Sequence, residues 1–344
     1  MHKLAKLSAS YFYLEKILQD NDFLKDKIHD CLRHYIVYEK DKNTHLEYLK
    51  THEQIHVPTT IFCKNIQDVP KSIWFPSVIK SETHFAIGPQ TQVVENYQDV
   101  EKYFKYFFGV SKSSKFVWSG YIQQLIPEGK DFTIVTLVGK HNHIILGSAV
   151  DKKKFYDGDL GMNTASMGAY AEETIPKSII ETTDIIVNYV KEKYKFIGFM
   201  SWQYRKDNNG DWWFLEINFR LCSPEFICVA KSFKPETIYK ICEQAYTEKH
   251  IDNINPKFKN CVAVMMWNKK FPLPQKEATE IIWKFNKNNC NEIEIIHDYS
   301  THNLTPACIV SSGEKSKNQL ASKLYEFLAN QNLTGYHYRK DIDL

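Results

Sequence analysis

Hydrophobic and polar positions along the chain predict a mixture of helices and short strands. Apolar residues at helical spacing predict a helical segment at the start of the chain and four later helices, at 4–32, 44–52, 99–108, 176–193 and 235–250. Shorter apolar runs between polar breaks predict strands, at 34–39, 75–80, 117–126, 132–138 and 143–149. Because the last three strands follow one another as antiparallel neighbours while the helices lie apart, the pattern predicts an α+β fold.

A polar turn between two apolar runs predicts a β-hairpin. The turn Asp-Asn-Asn-Gly-Asp at 207–211 separates the runs 196–204 and 212–217. On the second strand Glu216, Asn218 and Arg220 alternate, so their side chains point to one face. Carboxylate and amide oxygens suit Mg²⁺, and an arginine can hold a phosphoryl group with two parallel hydrogen bonds. The pattern predicts a phosphate–metal site, and the alternative is the solvated polar face of an amphipathic strand.

Composition and charge exclude several classes of protein. The chain has 344 residues, of which 43% are hydrophobic and 25% charged, as in ordinary globular proteins. A net charge of +3 without a basic block does not favour a nucleic-acid partner. No apolar run is long enough to span a membrane, the first residues do not resemble a signal peptide, and the eight cysteines form no Cys-X-X-Cys pair. We therefore expect a cytoplasmic protein that binds neither nucleic acid nor membrane, and we expect it to be a monomer or homodimer.

Three motifs resemble the ATP-grasp superfamily and, within it, the glycinamide ribonucleotide synthetase (phosphoribosylamine–glycine ligase) family. The stretch 216–225, Glu-Ile-Asn-Phe-Arg-Leu-Cys-Ser-Pro-Glu, is similar to the family's metal-binding strand and the turn after it. The stretch 151–170 resembles the motif Asp-His-Lys-Arg followed by Asp-Gly-Asp-X-Gly-Pro-Asn-Thr-Gly-Gly-Met-Gly-Ala-Tyr, and 335–342 resembles the C-terminal Tyr-Arg-Lys-Asp-Ile. The order of the motifs is also the family's.

The resemblance implies a fold and a division into domains. It implies two α+β halves that clasp ATP between their sheets, followed by a small C-terminal domain. The corresponding boundaries here are a shortened N-terminal segment at 1–45, an ATP-grasp domain at 46–252 and a C-terminal domain at 253–344. The resemblance further implies that 163–170 form a loop over the substrate.

The resemblance also implies an activity: an ATP- and Mg²⁺- (or Mn²⁺-) dependent ligase that joins a carboxylate to an amine through an acyl phosphate. Glycine or another small amino acid would be the carboxylate. The residues that match the family's functional positions are Glu216 and Asn218 for the metal; Arg220 and Lys153 for catalysis; Lys80 for the phosphates; Gln123, Gln124, Leu125 and Ile126 for adenine; Asp131 for ribose; and Asn163, Thr164, Met167, Gly168, Ser223 and Glu225 for the substrate.

Four departures from the family pattern concern ATP capture and the substrates. The N-terminal segment is short, the phosphate loop at 81–90 has one glycine and no second lysine, Ala165-Ser166 replace Gly-Gly, and Cys222-Ser223 replace Gly-Asp. Of the recognisable motifs, only 163–170 and the tail 339–341 could supply donors to a 5-phosphoribosyl group. We therefore expect altered ATP capture and a diverged amine acceptor. The alternatives are a genuine phosphoribosylamine–glycine ligase of purine synthesis, a peptide or natural-product ligase, and a degenerate, non-catalytic ATP-grasp subunit.

Overall fold

The computed structural model describes residues 8–64, 66–81, 91–114, 120–126, 129–172, 174–256, 260–269, 292–297, 307–331 and 333–344. The chain begins with helices α1 (Ala9–Leu18) and α2 (Asp22–Tyr35), a 3₁₀ helix Ile36–Asp41 and helix α3 (Lys42–Leu49). None of the described helices is both long and apolar enough to cross a membrane. Residues 9–49 are called the N-terminal helical segment below.

The predicted strand at 34–39 is wrong, since this stretch is helical. Its aromatic residues are three positions apart and meet one aromatic cluster. The Tyr38 ring stacks on Tyr194 at 4.3 Å between centroids, and Tyr35 meets Phe196 edge-on at 4.7 Å. Helical spacing brings both rings to one side, so tertiary packing overrides the local strand preference of the aromatic residues.

A small antiparallel sheet follows the N-terminal helical segment. Its strands are β1 (Thr60–Cys63), β2 (Ser77–Ser81), β3 (Thr91–Val94) and β4 (Gly120–Gln124), in the order β1-β4-β2-β3. Helix α4 (Tyr97–Ser114) lies between β3 and β4 in sequence, and a core that includes Ile79, Val100 and Phe104 joins it to the sheet. Alternation along β2 points Lys80 away from Ile79, towards the other face.

A large sheet forms the rest of the fold. Its strands are β5 (Gly129–Val138), β6 (His143–Tyr156), β7 (Leu160–Glu172), β8 (Gly198–Asp207), β9 (Trp212–Asn218), β10 (Asn260–Asn268), β11 (Ile293–His297), β12 (Ala307–Gly313) and β13 (Tyr336–His337). The order is β11-β12-β10-β7-β6-β5-β8-β9, and β13 pairs with β10. The remaining described α-helices are α5 (Lys177–Tyr194), α6 (Glu225–Ala230), α7 (Pro235–Tyr246) and α8 (Lys317–Ala329), and two short 3₁₀ helices are Ile66–Asp68 and Asp157–Asp159.

The two faces of the β5–β8–β9 region differ. On one face Ile134, Trp202 and Phe214 pack with residues of α5 in a single hydrophobic cluster. On the other face Val135 and Phe199 join a cluster that includes residues of α6 and α7. Further along that second face the residues become polar, so the sheet is apolar at one end and carries the candidate site at the other.

The loop expected at 163–170 is wrong, because these residues belong to strand β7. Its small and polar residues are typical of a loop, but β6 and β10 hydrogen-bond to its two edges. A Cβ at Gly168 would lie 2.5 Å from the carbonyl oxygen of Ala263, so glycine allows β10 to approach this closely. The sheet therefore continues across residue 252, and the division into domains there stays a prediction.

Candidate active site

Strand pairing gathers polar side chains at one end of the large sheet. Gln203 on β8 is paired with Glu216 on β9, and Ser201 is paired with Asn218. Since paired residues share a face, Glu216 and Asn218 lie beside each other, as the alternation predicts. Lys153 on β6 reaches the same place across β5, where its Nζ donates to Oε1 of Gln203 at 2.6 Å.

Glu216 lies among three ammonium groups. The Nζ of Lys42, the first residue of α3, donates to its Oε2 at 2.7 Å, and the two side chains are only 11% and 17% exposed. Burial on its own would raise the pKa of Glu216, but Lys42, Lys80 and Lys153 outweigh it and hold that pKa well below its usual range. Glu216 is therefore a carboxylate, the form that a metal ion requires.

Lys80 contributes a positively charged side chain from β2 of the small sheet. Its Nζ lies 5.7 Å from the centroid of the Tyr121 ring on β4. Burial lowers the pKa of Lys80 to about 8, against the attraction of Glu216. The electrostatic interaction of Lys80 with Glu216, Lys42 and Lys153 shows that the small sheet faces the polar end of the large one.

Arg220 follows β9 and contacts the side chains of Glu39 and Asn218. Its Nε lies 3.2 Å from Oε1 of Glu39, in the 3₁₀ helix, and its Nη2 donates to Oδ1 of Asn218 at 3.3 Å. The side chain is 27% exposed, so it remains accessible from the site. Glu216, Asn218 and Arg220 do share one site, together with Lys80 and Lys153.

Glu39 and Lys42 are site residues that the sequence did not reveal. They lie 181 and 174 positions from the residues that they contact, in a stretch predicted as a strand and a polar break. The only hint was the missing second lysine of the stretch 81–90, because a triphosphate needs several positive partners. Residues 82–90 lie outside the described residues.

Two buried carboxyl groups lie next to the lysines. Oδ1 of Asp151 accepts a hydrogen bond from Ser166 at 2.7 Å, and Oε1 of Glu225 accepts one from Thr133 at 3.2 Å. Burial raises the pKa of both groups, the charge of Glu225 raises that of Asp151 further, and Lys153 lowers both. The Ser223 Oγ is buried, with no hydrogen-bond partner among the described residues. Glu225 and Ser223 therefore line a polar corner beside Lys153.

The residues of β7 that were matched to substrate positions are engaged in packing. The Asn163 amide donates to the carbonyl of Thr91 at 3.1 Å, and the Thr164 hydroxyl donates to the carbonyl of Lys153 at 2.9 Å. Met167 has no exposed surface, and Gly168 lies against β10. Strand β10 thus packs against Gly168, and the role of these residues towards a substrate stays a prediction.

The residues matched to adenine lie where the chain passes from the small sheet to the large one. Gln123 is buried on β4, and its amide donates to Thr60 at 3.2 Å, whereas the Gln124 backbone N–H donates to the carbonyl of Thr59 at 2.8 Å. Leu125 and Ile126 follow, and residues 127 and 128 lie outside the described residues.

Asp131, the residue matched to ribose, lies on β5. Its Oδ1 accepts a hydrogen bond from Arg205 at 2.8 Å. The same carboxylate raises the pKa of Lys153, against the effect of burial, so Asp131 lies on the site's side of the sheet.

Arg339 in the C-terminal tail is engaged by the protein itself. Arg339 is fully buried and donates to Asp159 at 2.7 Å, to Asp341 at 2.6 and 2.7 Å, and to the carbonyl of Lys154 at 3.1 Å. These bonds tie the tail to the turn between β6 and β7. Since the guanidinium is enclosed by protein acceptors, Arg339 is a structural residue here.

Comparison with known proteins identifies relatives of this chain. The sequence profile of the family "Phosphoribosylglycinamide synthetase, ATP-grasp (A) domain" matches residues 52–226. The phosphoribosylamine–glycine ligase of Neisseria meningitidis is 25% identical over 234 residues, which are 62% of this chain and 54% of the relative. That of Thermotoga maritima is 25% identical over 234 residues, 63% of this chain and 55% of the relative. The chain thus spans about half the length of these relatives.

Solved structures share the fold. The crystal structure of phosphoribosylamine–glycine ligase from Thermotoga maritima has a TM-score of 0.68 and 21% identity, and covers 87% of this chain and 78% of its own. Biotin carboxylase from Campylobacter jejuni, in a β,γ-ATP complex, has a TM-score of 0.65 and 14% identity, and covers 92% and 71%. The predicted α+β ATP-grasp fold is confirmed.

Proposed function

The chain belongs to the phosphoribosylglycinamide synthetase ATP-grasp domain family, and from this membership and the geometry of its site we propose that it is an ATP- and Mg²⁺-dependent carboxylate–amine ligase. In this reaction the γ-phosphoryl group passes to a carboxylate oxygen and ADP leaves. The amine nitrogen then attacks the acyl phosphate, the C–O bond to phosphate breaks, and an amide and inorganic phosphate result. The observation that supports this proposal most is that Glu216, Asn218 and Arg220 lie in one site with three lysines.

The oxygen donors at the end of β9 fit a divalent metal ion. Glu216 is held as a carboxylate and Asn218 lies beside it, a donor set that suits Mg²⁺ or Mn²⁺. When bound, the metal would neutralise phosphate charge and orient the phosphates. Arg220, which keeps an accessible surface, would contact the transferring phosphoryl group.

The lysines supply the positive charge that a triphosphate needs. Lys80 would contact the α- and β-phosphates from the small sheet, and Lys153 the phosphoryl group from the large one. Lys42 neutralises Glu216, with its Nζ 2.7 Å from Oε2 of the carboxylate. We propose that Lys42 moves to the phosphates when the metal takes its place at Glu216.

The connection between the sheets would bind the nucleoside. Gln123, Gln124, Leu125 and Ile126 would contact adenine through backbone groups and apolar side chains. Asp131 would accept hydrogen bonds from ribose, although it already pairs with Arg205. The support for these roles is the position of the connection, directly between Lys80 and Lys153 in sequence.

The carboxylate substrate would be glycine or another small amino acid. The buried pair Asp151 and Glu225, with Ser223 beside it, is suited to an ammonium group rather than to a second anion. Asn163, Thr164, Met167 and Gly168 would support this pocket from β7. The polar corner lies next to Lys153, where the activated carboxylate has to be.

The amine acceptor would differ from phosphoribosylamine. A 5-phosphoribosyl group needs several basic or backbone donors, but Arg339 is enclosed by protein acceptors and residue 223 is serine. A non-catalytic role is disfavoured because Lys80 is buried at a cost that lowers its pKa to about 8, while no ion pair among the described residues engages its ammonium group. Catalysis with a different acceptor fits both observations.

The test is Mg²⁺-dependent ADP release by the purified protein with a panel of small amino acids and amines, with Glu216→Ala as the inactive control. We expect release that needs both an amino acid and an amine, and weak or absent turnover with glycine and phosphoribosylamine. Robust glycinamide ribonucleotide synthesis would contradict the diverged acceptor. No ADP release with any pair, despite ATP binding, would contradict the ligase.

A further inference from the structure

Glu39 is a buried carboxylate outside residues 52–226, the part that the family profile matches. The 3₁₀ helix Ile36–Asp41 brings it to Arg220, 181 positions later. Its side chain is 5% exposed, and its Oε1 and Oε2 lie 3.2 and 3.4 Å from Nε of Arg220. A carboxylate is buried at a large desolvation cost, so its contact with the arginine has to be specific to be retained.

Glu39 and Asn218 together fix the plane of the Arg220 guanidinium. Glu39 contacts Nε, on the inner edge, whereas Asn218 accepts from Nη2 at 3.3 Å. Because the guanidinium is rigid and planar, two contacts on different nitrogens define its orientation. Asn218 belongs to the same strand end, whereas Glu39 is a contact that comes from another element.

The same N-terminal helical segment also holds the backbone after Arg220. The Ser10 hydroxyl donates to the carbonyl of Cys222 at 2.7 Å, and the Leu221 N–H donates to the hydroxyl of Tyr11 at 3.3 Å. Both partners lie on α1. Side chain and backbone of this turn are therefore positioned by one segment.

We propose that Glu39 is a positioning residue for Arg220, which it holds in the orientation that meets the γ-phosphoryl group of ATP. The proposal rests on the proposed function, since it takes Arg220 as the phosphoryl contact. A preoriented guanidinium loses less freedom when the phosphoryl group binds, so the effect falls on recognition of that group and not of ADP. The N-terminal helical segment thereby completes the site.

The alternative is that Glu39 only anchors the N-terminal helical segment. A matched control is Glu294 on β11, which binds Lys16 of that segment at 2.8 Å and also pairs with Lys231, away from the candidate site. Glu294→Gln weakens an anchor of the same kind without touching Arg220. The comparison of Glu39→Gln with Glu294→Gln therefore separates positioning from anchoring.

Calorimetric titration with a magnesium-bound, non-hydrolysable ATP analogue and with Mg-ADP tests the proposal in the absence of any acceptor. We expect wild type to prefer the analogue, and Glu39→Gln to reduce that preference about tenfold. The ADP affinity should stay within about twofold, and Glu294→Gln should change neither value by more. In an Arg220→Lys background Glu39→Gln should have no further effect, because the residue through which it acts is altered.

The outcomes distinguish the two claims. Wild type that binds neither nucleotide contradicts the proposed function and the positioning role with it. Only the positioning role is overturned if wild type prefers the analogue over ADP and a folded Glu39→Gln variant prefers it equally. The same holds if Glu39→Gln reduces this preference by the same amount in the Arg220→Lys background. If Glu39→Gln does not fold, Glu39→Asp, which withdraws the charge by one methylene, has to show a loss in the same direction; unchanged discrimination in it also overturns the proposal.

Discussion

Arg220 and Arg339 both pair with carboxylates, and they serve the molecule differently. Arg339 has no exposed surface, and its contacts are with two aspartates and a backbone carbonyl. Arg220 is 27% exposed, and it contacts the Glu39 carboxylate at 3.2 Å and the Asn218 amide at 3.3 Å, whereas Arg339 meets its aspartates at 2.6 and 2.7 Å. Arg339 is tightly enclosed by its protein acceptors, whereas Arg220 is oriented by its contacts but remains open to the site.

The difference explains why arginine in a family motif is not sufficient to assign a ligand role. Both residues belong to motifs that resemble the same family, and from sequence both were candidates for phosphate. Exposure separates them, because a fully buried arginine whose donors are already engaged gains little from a phosphate, whereas Arg220 keeps accessible surface. The comparison predicts a loss of stability at Arg339 and a loss of ligand recognition near Arg220.

Replacement of Arg339 gives the largest expected effect, on stability. Arg339→Met should lower the free energy of unfolding by about 3 kcal/mol, the lower end for a broken buried pair. The lower end applies because Asp159 is 58% exposed and can be solvated, whereas Asp341 is mostly buried. Denaturant unfolding measures this. Arg33→Met, which breaks the exposed pair with Asp30, is the control and should change stability by less than about 0.5 kcal/mol. Equal losses of unfolding free energy in the two variants would show that the buried contacts of Arg339 do not stabilise the fold more than an exposed ion pair does.

Replacement of the metal carboxylate should act on rate. Glu216→Ala should reduce Mg²⁺-dependent ADP formation at least about 100-fold, or about 2.7 kcal/mol, since the metal loses its only charged protein ligand in the proposed set. Glu248→Ala, which removes an exposed partner of Lys140, is the control. The rates of ADP formation by both variants, measured at equal concentrations of folded protein, test this expectation. Activity of Glu216→Ala within about tenfold of wild type would exclude the metal assignment.

Lys80 should make nucleotide binding depend on pH. Its pKa is about 8, so its ammonium group loses its proton as the pH rises from 7 to 9, and the affinity for an ATP analogue should fall by up to about tenfold. The affinity falls as the pH rises because the negative triphosphate binds the charged ammonium form of Lys80 more strongly than the neutral amine. Lys80→Arg stays charged and should remove most of this dependence, while Lys80→Ala should raise the KM for ATP more than Lys71→Ala does. Calorimetry at the two pH values checks the first point, and identical affinities in wild type would show that Lys80 does not contact the phosphates.

Lys42 should compete with a metal ion in the absence of nucleotide. Because its ammonium group neutralises Glu216 at 2.7 Å, free Mn²⁺ should bind wild type weakly. Lys42→Met should strengthen nucleotide-free Mn²⁺ binding severalfold, on the order of 1 kcal/mol, while it weakens binding of the ATP analogue. Titration of Mn²⁺ followed by its electron paramagnetic resonance signal measures the free ion. Weaker Mn²⁺ binding in Lys42→Met would contradict the competition.

The sequence was sufficient where function depends on local geometry. The hairpin at 196–217 and the alternation of Glu216, Asn218 and Arg220 follow from period-two spacing, and β8 and β9 confirm the hairpin. The strand that carries Lys80 was predicted at 75–80 and is observed as Ser77–Ser81. The α+β ATP-grasp fold followed from motif resemblance.

The rest depends on contacts between distant parts of the chain. Strand β7 reads as a loop until β6 and β10 are known to flank it, and no local pattern reveals that Gly168 must admit β10. Glu39 and Lys42 are unremarkable residues in a polar stretch, and their role arises only when the N-terminal helical segment folds over the end of β9. Three-dimensional packing, not spacing, selects them.

The most direct test of the ligase is the transfer of oxygen from the carboxylate substrate to phosphate. The protein would be incubated with ATP, Mg²⁺, an amine and the amino acid that best supports ADP release, with both carboxylate oxygens labelled with ¹⁸O. Through an acyl phosphate, one labelled oxygen leaves with inorganic phosphate and the other stays in the amide, so the account predicts singly labelled phosphate in amounts equal to the amide. Unlabelled phosphate, released at the same rate with or without the amine, would contradict it.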